Sequence, residues 1–291
     1  MRALSTPVRD LTPVLLRGWA LPSVGDSKYS RGQVLVVGGA ARTPGAAQLA
    51  GLAALRVGAG HLTLAVASTA AVPMAVATPE AGVIGLPQTD SGSVLGADLE
   101  AIKDDLGSAD VVVIGPGLDD AGHTRDLVRR ALPLLSDEAL LVLDAYALGI
   151  LPDLVDDVAP LAGRLVLTPN VAEAGRLLGR DLDVVEDDVR EIARTYHAVV
   201  SCQGLVADAD GACWRIGAGQ IGLATSGSGD VLAGAVAGIL ARGTEPTQAV
   251  CWASHIHAAA GDRLAVSVGS LGFLASELLA ELPRVLVELG A

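Results

Sequence analysis

The sequence predicts an α/β fold in which helices cover both faces of an open, mostly parallel sheet. Apolar runs of strand length that end in glycine or in a polar residue recur along the chain, and segments of helical length rich in Ala and Gly lie between them. Continuous apolar runs are typical of buried parallel strands, and their alternation with helices is the pattern of βαβ units. About half of the 291 residues are apolar but only 2% are aromatic, so small aliphatic residues must fill the core.

The first βαβ unit is predicted near the beginning of the chain. Thr12 and Pro13 have the residue types of an N-cap and of the first position of a helix. The apolar run 33–37 ends in Gly38 and Gly39, as a buried strand followed by a tight loop would. The predicted elements of this part are a helix over 13–16, a strand over 33–37, a helix over 44–57 and a strand over 61–66.

The pattern continues through most of the remaining chain. The Asp210-Gly211 pair predicts a hairpin between two short strands, because Asp-Gly favours a two-residue turn. From Asp230 onward the pattern is helical, without an apparent linker, so residues 1–291 are predicted to form a single domain. The further predicted elements are strands over 110–114, 140–143, 164–167 and 198–201, a helix over 187–197, and hairpin strands over 205–208 and 212–216.

Composition excludes several functional classes. A net charge of −13 argues against nucleic-acid partners, because phosphate backbones would be repelled. The longest uncharged stretch, 57–79, contains Gly58, Gly60 and Pro73 and does not resemble a membrane span. The three cysteines have no CxxC spacing, and no signal peptide is apparent near Met1. We therefore expect a cytoplasmic protein with neither membrane nor nucleic-acid partners.

The segment Ala224–Asp230, of sequence Ala-Thr-Ser-Gly-Ser-Gly-Asp, predicts an anion site. It precedes an apolar segment of helical length, so the first N–H groups of that helix and the helix dipole would face an anion. A carboxylate at Asp230 beside such a site indicates catalysis. The alternative interpretation is a glycine turn in which Asp230 is an ordinary N-cap.

Other polar or glycine-rich segments follow the predicted strands directly. In a parallel sheet, ligands bind at the carboxyl ends of the strands, so these segments should line one crevice closed by the loop before Asp230. Each glycine or proline, taken alone, could simply end a strand. The segments are Gly38-Gly39, Gly115-Pro116-Gly117, Asp144, Asn170 and Ser201-Cys202-Gln203.

Taken together, these motifs resemble those of the ADP-dependent NAD(P)H-hydrate dehydratases, within the wider ribokinase-like group. The resemblance implies a three-layer ribokinase-like fold and covers roughly residues 28–285. The motifs occur in the family's order and are 28–32, 36–40, 44–47 through 58–60, 115–118, 144–148, 167–170 with Glu173, and 224–243.

The resemblance implies a repair reaction on NADH and NADPH whose nicotinamide ring carries a hydroxyl at C6. Family members transfer a phosphoryl group from ADP, or from ATP in some relatives, to this hydroxyl and then eliminate phosphate. Asp230 matches the catalytic base and also contacts the substrate. The other positions implied are Ser201, Cys202, Gln203, Gly204, Gly227, Ser228 and Gly229 for the nucleotide, and Gly45, Ala46, Gly117 and Asn170 for the hydrate.

The resemblance also implies Mg²⁺, bound chiefly by phosphates rather than by a protein metal site, and a homo-oligomer. Two positions depart from the family. Asn170 replaces the usual histidine, which keeps hydrogen bonding but removes titration. Val200 stands where a lysine is usual, and the only lysines are Lys28 and Lys103. The loss of one charge-assisted hydrogen bond, about 1.5–3 kcal/mol, predicts weaker or altered use of the nucleotide.

Two other functions fit the same motifs. One is a ribokinase-like kinase of a small vitamin precursor or a sugar, with Asp230 again as the base. The other is a non-catalytic nucleotide-binding relative, which the absence of the lysine favours. His255 and His257 are two residues apart and would point to different faces of a helix, so we expect structural or surface roles for both.

Overall fold

The structure, a computed structural model, describes residues 7–23, 27, 29–219 and 221–291, without the side chains of Tyr29 and Ile221. Ten strands lie in these ranges. They are β1 (Arg9–Leu11), β2 (Gln33–Val37), β3 (His61–Ala67), β4 (Gly82–Leu86), β5 (Val111–Ile114), β6 (Leu140–Leu143), β7 (Leu165–Leu167), β8 (Ala198–Cys202), β9 (Leu205–Ala207) and β10 (Cys213–Ile216).

All ten strands belong to one sheet, in the order β1-β10-β9-β8-β7-β6-β5-β2-β3-β4. Neighbouring strands are parallel except at β8–β9 and β9–β10, which are antiparallel. The carboxyl ends of β2, β5, β6, β7 and β8 therefore meet at one edge of the sheet. This edge is where the sequence places its glycine-rich and polar loops.

Helices and short 3₁₀ turns connect the strands. The α-helices in the described ranges are α1 (Pro13–Gly18), α2 (Pro44–Arg56), α3 (Ser68–Ala77), α4 (Lys103–Ser108), α5 (Ala121–Ala131), α6 (Tyr146–Ile150), α7 (Val155–Val158), α8 (Val171–Leu178), α9 (Val185–Thr195), α10 (Ser228–Ala241), α11 (Pro246–Ser267) and α12 (Ala275–Leu289). The 3₁₀ turns are Tyr29–Arg31, Glu100–Ile102, Leu132–Leu134, Leu151–Leu154, Ala159–Leu161 and Ile221–Leu223. Within the described part of the chain, none of these helices combines the length and the apolar character that crossing a bilayer requires.

The core is divided by the sheet into two apolar clusters. Val34 and Val36 of β2 belong to one cluster, together with residues of α2, α10, α11 and α12. Leu35 and Val37, which point to the opposite face, belong to the second cluster with residues of α5, α6, α8 and α9. The predicted fold, a mostly parallel sheet between two helical layers, is confirmed.

Most predicted elements are present with small shifts at their ends. Thr12 caps α1 as predicted, its hydroxyl accepting a hydrogen bond from the Leu15 N–H at 3.2 Å, but the helix continues to Gly18. The strands β2 and β6 have the predicted limits, whereas β3 and β8 are each one residue longer. β1 and β4 lie at the two edges of the sheet and were not predicted.

Helices α2 and α10 approach each other at glycines. A Cβ at Gly234 would overlap the carbonyl oxygen of Ala50, and one at Gly238 would overlap that of Ala54. Both glycines are buried, so the two helix backbones are in direct contact. Gly234 faces Ala50, and Gly238, one turn later, faces Ala54, one turn later in α2. The two helices therefore run in the same direction, and their N-termini lie at the same end.

Replacing Gly234 by alanine should force α10 away from α2. We expect Gly234→Ala to lower the free energy of unfolding by about 1–3 kcal/mol, the usual cost of overpacking a core. Urea denaturation monitored by circular dichroism measures this free energy of unfolding. Gly149→Ala in α6 is the matched control, because a Cβ there meets no atom within 4 Å, and its stability should be unchanged or slightly higher. Equal stability of Gly234→Ala and wild type would contradict the close packing.

Candidate functional site

The loops after β2 and β5 are joined by hydrogen bonds at the carboxyl edge of the sheet. The Thr43 hydroxyl and the Ala40 N–H donate to the Gly117 carbonyl at 2.7 and 2.8 Å. Gly117 has φ +72°, and a Cβ on it would lie 3.1 Å from that of Ala46. Gly45 is the second residue of α2 and has open space beside it. The structure therefore brings the predicted substrate positions Gly45, Ala46 and Gly117 together.

Helix α10 begins at the predicted anion loop. Gly227 is its N-cap with φ +90°, a conformation that favours glycine, and a Cβ there would also displace the side chain of Leu49, 2.6 Å away. Ser228 is the first helical residue, two positions earlier than predicted, and Asp230 lies in the first turn. The interpretation of Asp230 as an N-cap is therefore wrong. The Ser228 N–H is bonded to the Thr225 carbonyl at 3.2 Å, which leaves the next two N–H groups of the helix to face a ligand.

The carboxylate of Asp230 has no hydrogen-bond partner among the described residues. Glu173 occupies the equivalent position in α8, and there one carboxylate oxygen has a partner. Its Oε2 accepts a hydrogen bond from the Asn170 N–H at 2.9 Å, while Asn170 Oδ1 accepts one from the Glu173 N–H at 3.0 Å. Glu173 thus caps α8, as its position after the Thr-Pro-Asn turn indicates. Gly227 has no side chain and a left-handed backbone, so no such box forms around Asp230. This carboxylate is available to accept a proton from a ligand.

Three buried or half-buried acids influence one another near this carboxylate. Burial raises the pKa of Asp144, the hydrogen bond from the Thr168 hydroxyl at 2.7 Å lowers it, and the negative charges of Asp230 and Glu173 raise it; together these effects bring it to about 7. Burial and the charge of Glu173 raise the pKa of Asp230 to about 6. Burial also raises the pKa of Glu173. The site therefore holds acids that exchange protons near neutral pH.

The backbone next to Asp144 is strained. Ala145, the residue after it, has φ +49°, which a residue with a Cβ rarely adopts. Gly115 packs so closely on the Asp144 carbonyl that a Cβ would overlap it. Such strain concentrates at functional sites. The sequence places Asp144 at a strand end, and only the structure shows that it shares an electrostatic environment with Asp230.

A cleft of about 690 Å³ lies between the carboxyl edge of the sheet and helices α10 and α11. Six of the seven predicted nucleotide positions line it, while Gly227, Asp230, Gly45, Ala46 and Gly117 do not. A separate cavity of about 400 Å³ lies beside Leu118 and Tyr146, and Glu173 lines it. The predicted positions in the larger cleft are Ser201, Cys202, Gln203, Gly204, Ser228, Gly229 and, from the substrate set, Asn170.

The turn between β8 and β9 forms one wall of this cleft. Gln203 has φ +53° and Gly204 has φ +71°, so the turn has the left-handed geometry of a type I′ hairpin. Glutamine is unusual at such a position. Burial raises the pKa of the neighbouring Cys202 thiol to about 12, which makes it a poor nucleophile.

None of the described residues that line the cleft is a lysine or an arginine. Lys103 lines a different depression of the surface with Arg129 and Arg130, and Lys28 lies outside the described residues. Val200 is fully buried in the apolar cluster on the α8 and α9 side of the sheet. Among the described residues, the groups that can contact an anion in the cleft are therefore neutral donors.

Two pairs of side chains supply such donors. The hydroxyl groups of Ser201 and Ser254 lie 2.9 Å apart. The Nε2 atom of His257 lies 3.0 Å from both the hydroxyl and the carbonyl oxygen of Ser228. Both His255 and His257 are buried, and His257 lines the cleft. Of the two roles expected for these histidines, the structural one agrees with their burial and the surface one does not. The spacing of two histidines within one helix does not show which side chains of another helix they contact.

A family model described as NAD(P)H-hydrate dehydratase matches residues 34–284. The chain is 44% identical over 288 residues to an ADP-dependent (S)-NAD(P)H-hydrate dehydratase of Xanthomonas campestris, covering 96% of each chain. It is also 38% identical to a bifunctional NAD(P)H-hydrate repair enzyme of Moorella thermoacetica, over 88% of this chain and 49% of that protein. The chain thus spans about half the length of that bifunctional relative.

Solved structures share the fold. An ADP/ATP-dependent NAD(P)H-hydrate dehydratase of Bacillus subtilis, co-crystallised with ATP and Mg²⁺, superimposes with a TM-score of 0.80 at 27% identity, covering 97% of this chain and 99% of that one. A ribokinase-like superfamily protein of Enterococcus faecalis gives 0.82 at 22% identity, covering 97% and 96%. The second match supports the ribokinase-like fold alone.

The raised pKa of Asp144 makes stability depend on pH. An acid whose pKa is higher in the folded protein contributes stability below its unfolded value of 3.8, and that stability is lost as the pH rises through about 7. We expect the free energy of unfolding to fall by a few kcal/mol over this range, at about 1.4 kcal/mol for each tenfold change in proton affinity. Asp144→Asn, which retains an acceptor for Thr168, should flatten this decline.

Urea denaturation across this pH range measures the effect, with Asp90→Asn on the exposed surface as the control. An unchanged pH profile in Asp144→Asn would show that Asp144 is not the titrating group.

Proposed function

The chain belongs to the NAD(P)H-hydrate dehydratase family, and from this premise we propose that it dehydrates the (6S)-hydrates of NADH and NADPH, with ADP or ATP as the phosphoryl donor. The observation that supports the chemistry most directly is the carboxylate of Asp230 in the first turn of α10, which has no hydrogen-bond partner in the described part of the chain. We assign the reaction to the chain as one domain, residues 1–291.

We place the nucleotide in the larger cleft. Its phosphates would accept hydrogen bonds from the N–H groups of Gly229 and Asp230, where the helix dipole also favours negative charge. The hydroxyl groups of Ser201 and Ser228 add donors. The rest of the nucleotide would lie along the turn formed by Cys202, Gln203 and Gly204, which lines the same cleft.

We place the hydrated nicotinamide where Gly45, Ala46 and Gly117 meet, with Asn170 between this position and the nucleotide. Asn170 lines the cleft, and its Oδ1 is already occupied by the cap of α8, so its amide N–H groups are the part free to donate to a ligand. Three small residues leave space at the loops after β2 and β5. The open space beside Gly45 suits a flat ring at the start of α2.

Asp230 acts as the general base in this proposal. Its carboxylate takes the proton of the C6 hydroxyl while that oxygen bonds to the terminal phosphorus of the nucleotide, whose bond to the bridging oxygen breaks. Phosphate then leaves C6, a proton leaves C5, and the ring double bond is restored. A pKa of about 6 leaves Asp230 ionised near neutral pH yet basic enough to assist.

Magnesium fits this site as an ion held by phosphates. In the described part of the chain no group of three or more His, Cys, Asp or Glu side chains is arranged to hold a metal. The mutually repelling charges of Asp144, Glu173 and Asp230 would attract a cation that the phosphates bring. When bound, magnesium would neutralise charge on the phosphates.

We also propose that the protein acts in the cytoplasm. The three cysteines, Cys202, Cys213 and Cys251, are all free and buried, which is typical of reducing compartments. The homo-oligomer stays a prediction, which light scattering of the purified chain can test.

The wild type should restore the near-ultraviolet absorbance of reduced nicotinamide when incubated with hydrated NADPH, Mg²⁺ and ADP or ATP. Asp230→Asn should lower kcat by at least about 100-fold, the contribution of a general base. Asp90→Asn controls for the loss of a carboxylate elsewhere. A stable phosphorylated product without restored absorbance would indicate a kinase. The absence of any turnover with either nucleotide would contradict an enzymatic function.

Binding of ADP should survive the same substitution. Backbone N–H groups, not the carboxylate, contact the phosphates in our proposal, so Asp230→Asn should bind ADP as tightly as the wild type or somewhat more tightly, because a negative charge is removed. Isothermal titration calorimetry with Mg²⁺ present measures this. Loss of ADP binding in a folded Asp230→Asn protein would show that the carboxylate itself takes part in nucleotide binding.

A further inference from the structure

We propose that His257 is a positioning residue, which holds the hydroxyl of Ser228 so that it donates a hydrogen bond to the phosphoryl group being transferred. The inference rests on the proposed function, because it assigns a role in that reaction. It concerns two side chains that meet in the wall of the cleft, one from α11 and one from the first position of α10.

The contacts of His257 determine which of its nitrogen atoms carries the proton. Nε2 lies 3.0 Å from the Ser228 carbonyl oxygen, and a carbonyl oxygen can only accept. We therefore assign the ring hydrogen to Nε2, which donates it to this carbonyl. Burial lowers the pKa of His257 to about 4, so the imidazole is neutral near pH 7 and Nδ1 carries no proton.

This tautomer fixes the role of the Ser228 hydroxyl. The oxygen lies 3.0 Å from the same Nε2 and can only accept from it, so its own hydrogen points elsewhere. No other partner of this hydroxyl lies among the described residues. Ser228 is buried but lines the cleft, so an oxygen atom of a ligand in the cleft is the available acceptor.

The same geometry excludes a different role for the pair. A serine bonded to a histidine can be an activated nucleophile, in which Nε2 accepts the hydroxyl proton. Here Nε2 already donates to a carbonyl and has no lone pair to offer. Ser228 is therefore a donor and not a nucleophile.

A donor of this kind matters because the described lining of the cleft lacks lysine and arginine. Negative charge develops on the phosphoryl oxygens during transfer, and a donor fixed in advance stabilises that charge more than it stabilises the bound nucleotide. The His257 bond also holds the Ser228 carbonyl, which limits movement of the loop from Gly227 to Gly229.

The kinetic test compares variants that keep or remove the donor. His257→Leu fills similar volume without an N–H group, whereas His257→Gln retains an N–H group near the position of Nε2. We expect His257→Leu to lower kcat by about 10- to 100-fold with a much smaller change in the KM for ADP, as the loss of one hydrogen bond to a charged group predicts. His257→Gln should recover most of this loss, and His255→Leu, two residues away in α11, should retain wild-type kcat.

Ser228 supplies a second pair of variants that leave the packing of His257 nearly intact. Ser228→Ala should lower kcat to a similar degree, and Ser228→Thr should retain activity. Because both residues act through one hydroxyl, the double variant Ser228→Ala, His257→Leu should be no slower than the slower single variant. If the decreases in kcat of the two single variants multiply in the double variant, the proposal is overturned.

The tautomer is measured independently of activity by long-range ¹H–¹⁵N NMR of the ¹⁵N-histidine-labelled wild type at neutral pH, with the His257 resonance assigned by its absence in His257→Gln. A neutral ring protonated at Nε2 is expected, and protonation at Nδ1 would overturn the proposal. A His257→Leu variant as fast as an active wild type would also overturn it. Complete inactivity of the wild type would instead overturn the proposed function and this inference with it.

Discussion

The direct contact between the backbones of α2 and α10 is the constraint on which the site depends. Gly234 and Gly238 let the two helices touch, and Gly227 continues the contact against Leu49 at the end where the helices begin. The N–H groups at the start of α10 are therefore fixed relative to the loops that follow β2 and β5. A helix set further out would carry Asp230 away from the acids with which it interacts.

Much of the fold follows from the sequence because its central strands are unambiguous. The strand β2 is a continuous apolar run followed by two glycines, and no helix pattern competes with it. The two unpredicted strands lie at the edges. β1 has three residues and exists because it pairs with β10, and β4 contains two glycines and is only partly buried. Such strands depend on their neighbours more than on their own composition.

The candidate site is predictable as a place but not as a set of interactions. The sequence predicts which loops follow the carboxyl ends of the parallel strands, and it therefore places Asn170 and Ser228 in one crevice. Both residues line the cleft of the structure. The bond from His257 to Ser228 joins residues 29 positions apart on different helices, and no local spacing encodes it. The interaction of Asp144 with Asp230 likewise arises only when β6 and α10 are placed side by side.

The lack of a cationic side chain along the described lining of the cleft has a consequence for which form of the nucleotide is captured. With a net charge of −13, the protein repels polyanions before they reach the site. Neutral N–H and O–H donors act only at contact, so they do not offset this long-range repulsion. A nucleotide already complexed with magnesium carries less charge and approaches more readily. In the proposed reaction, the negative charge of the protein would therefore favour the magnesium complex over the free nucleotide at the encounter step.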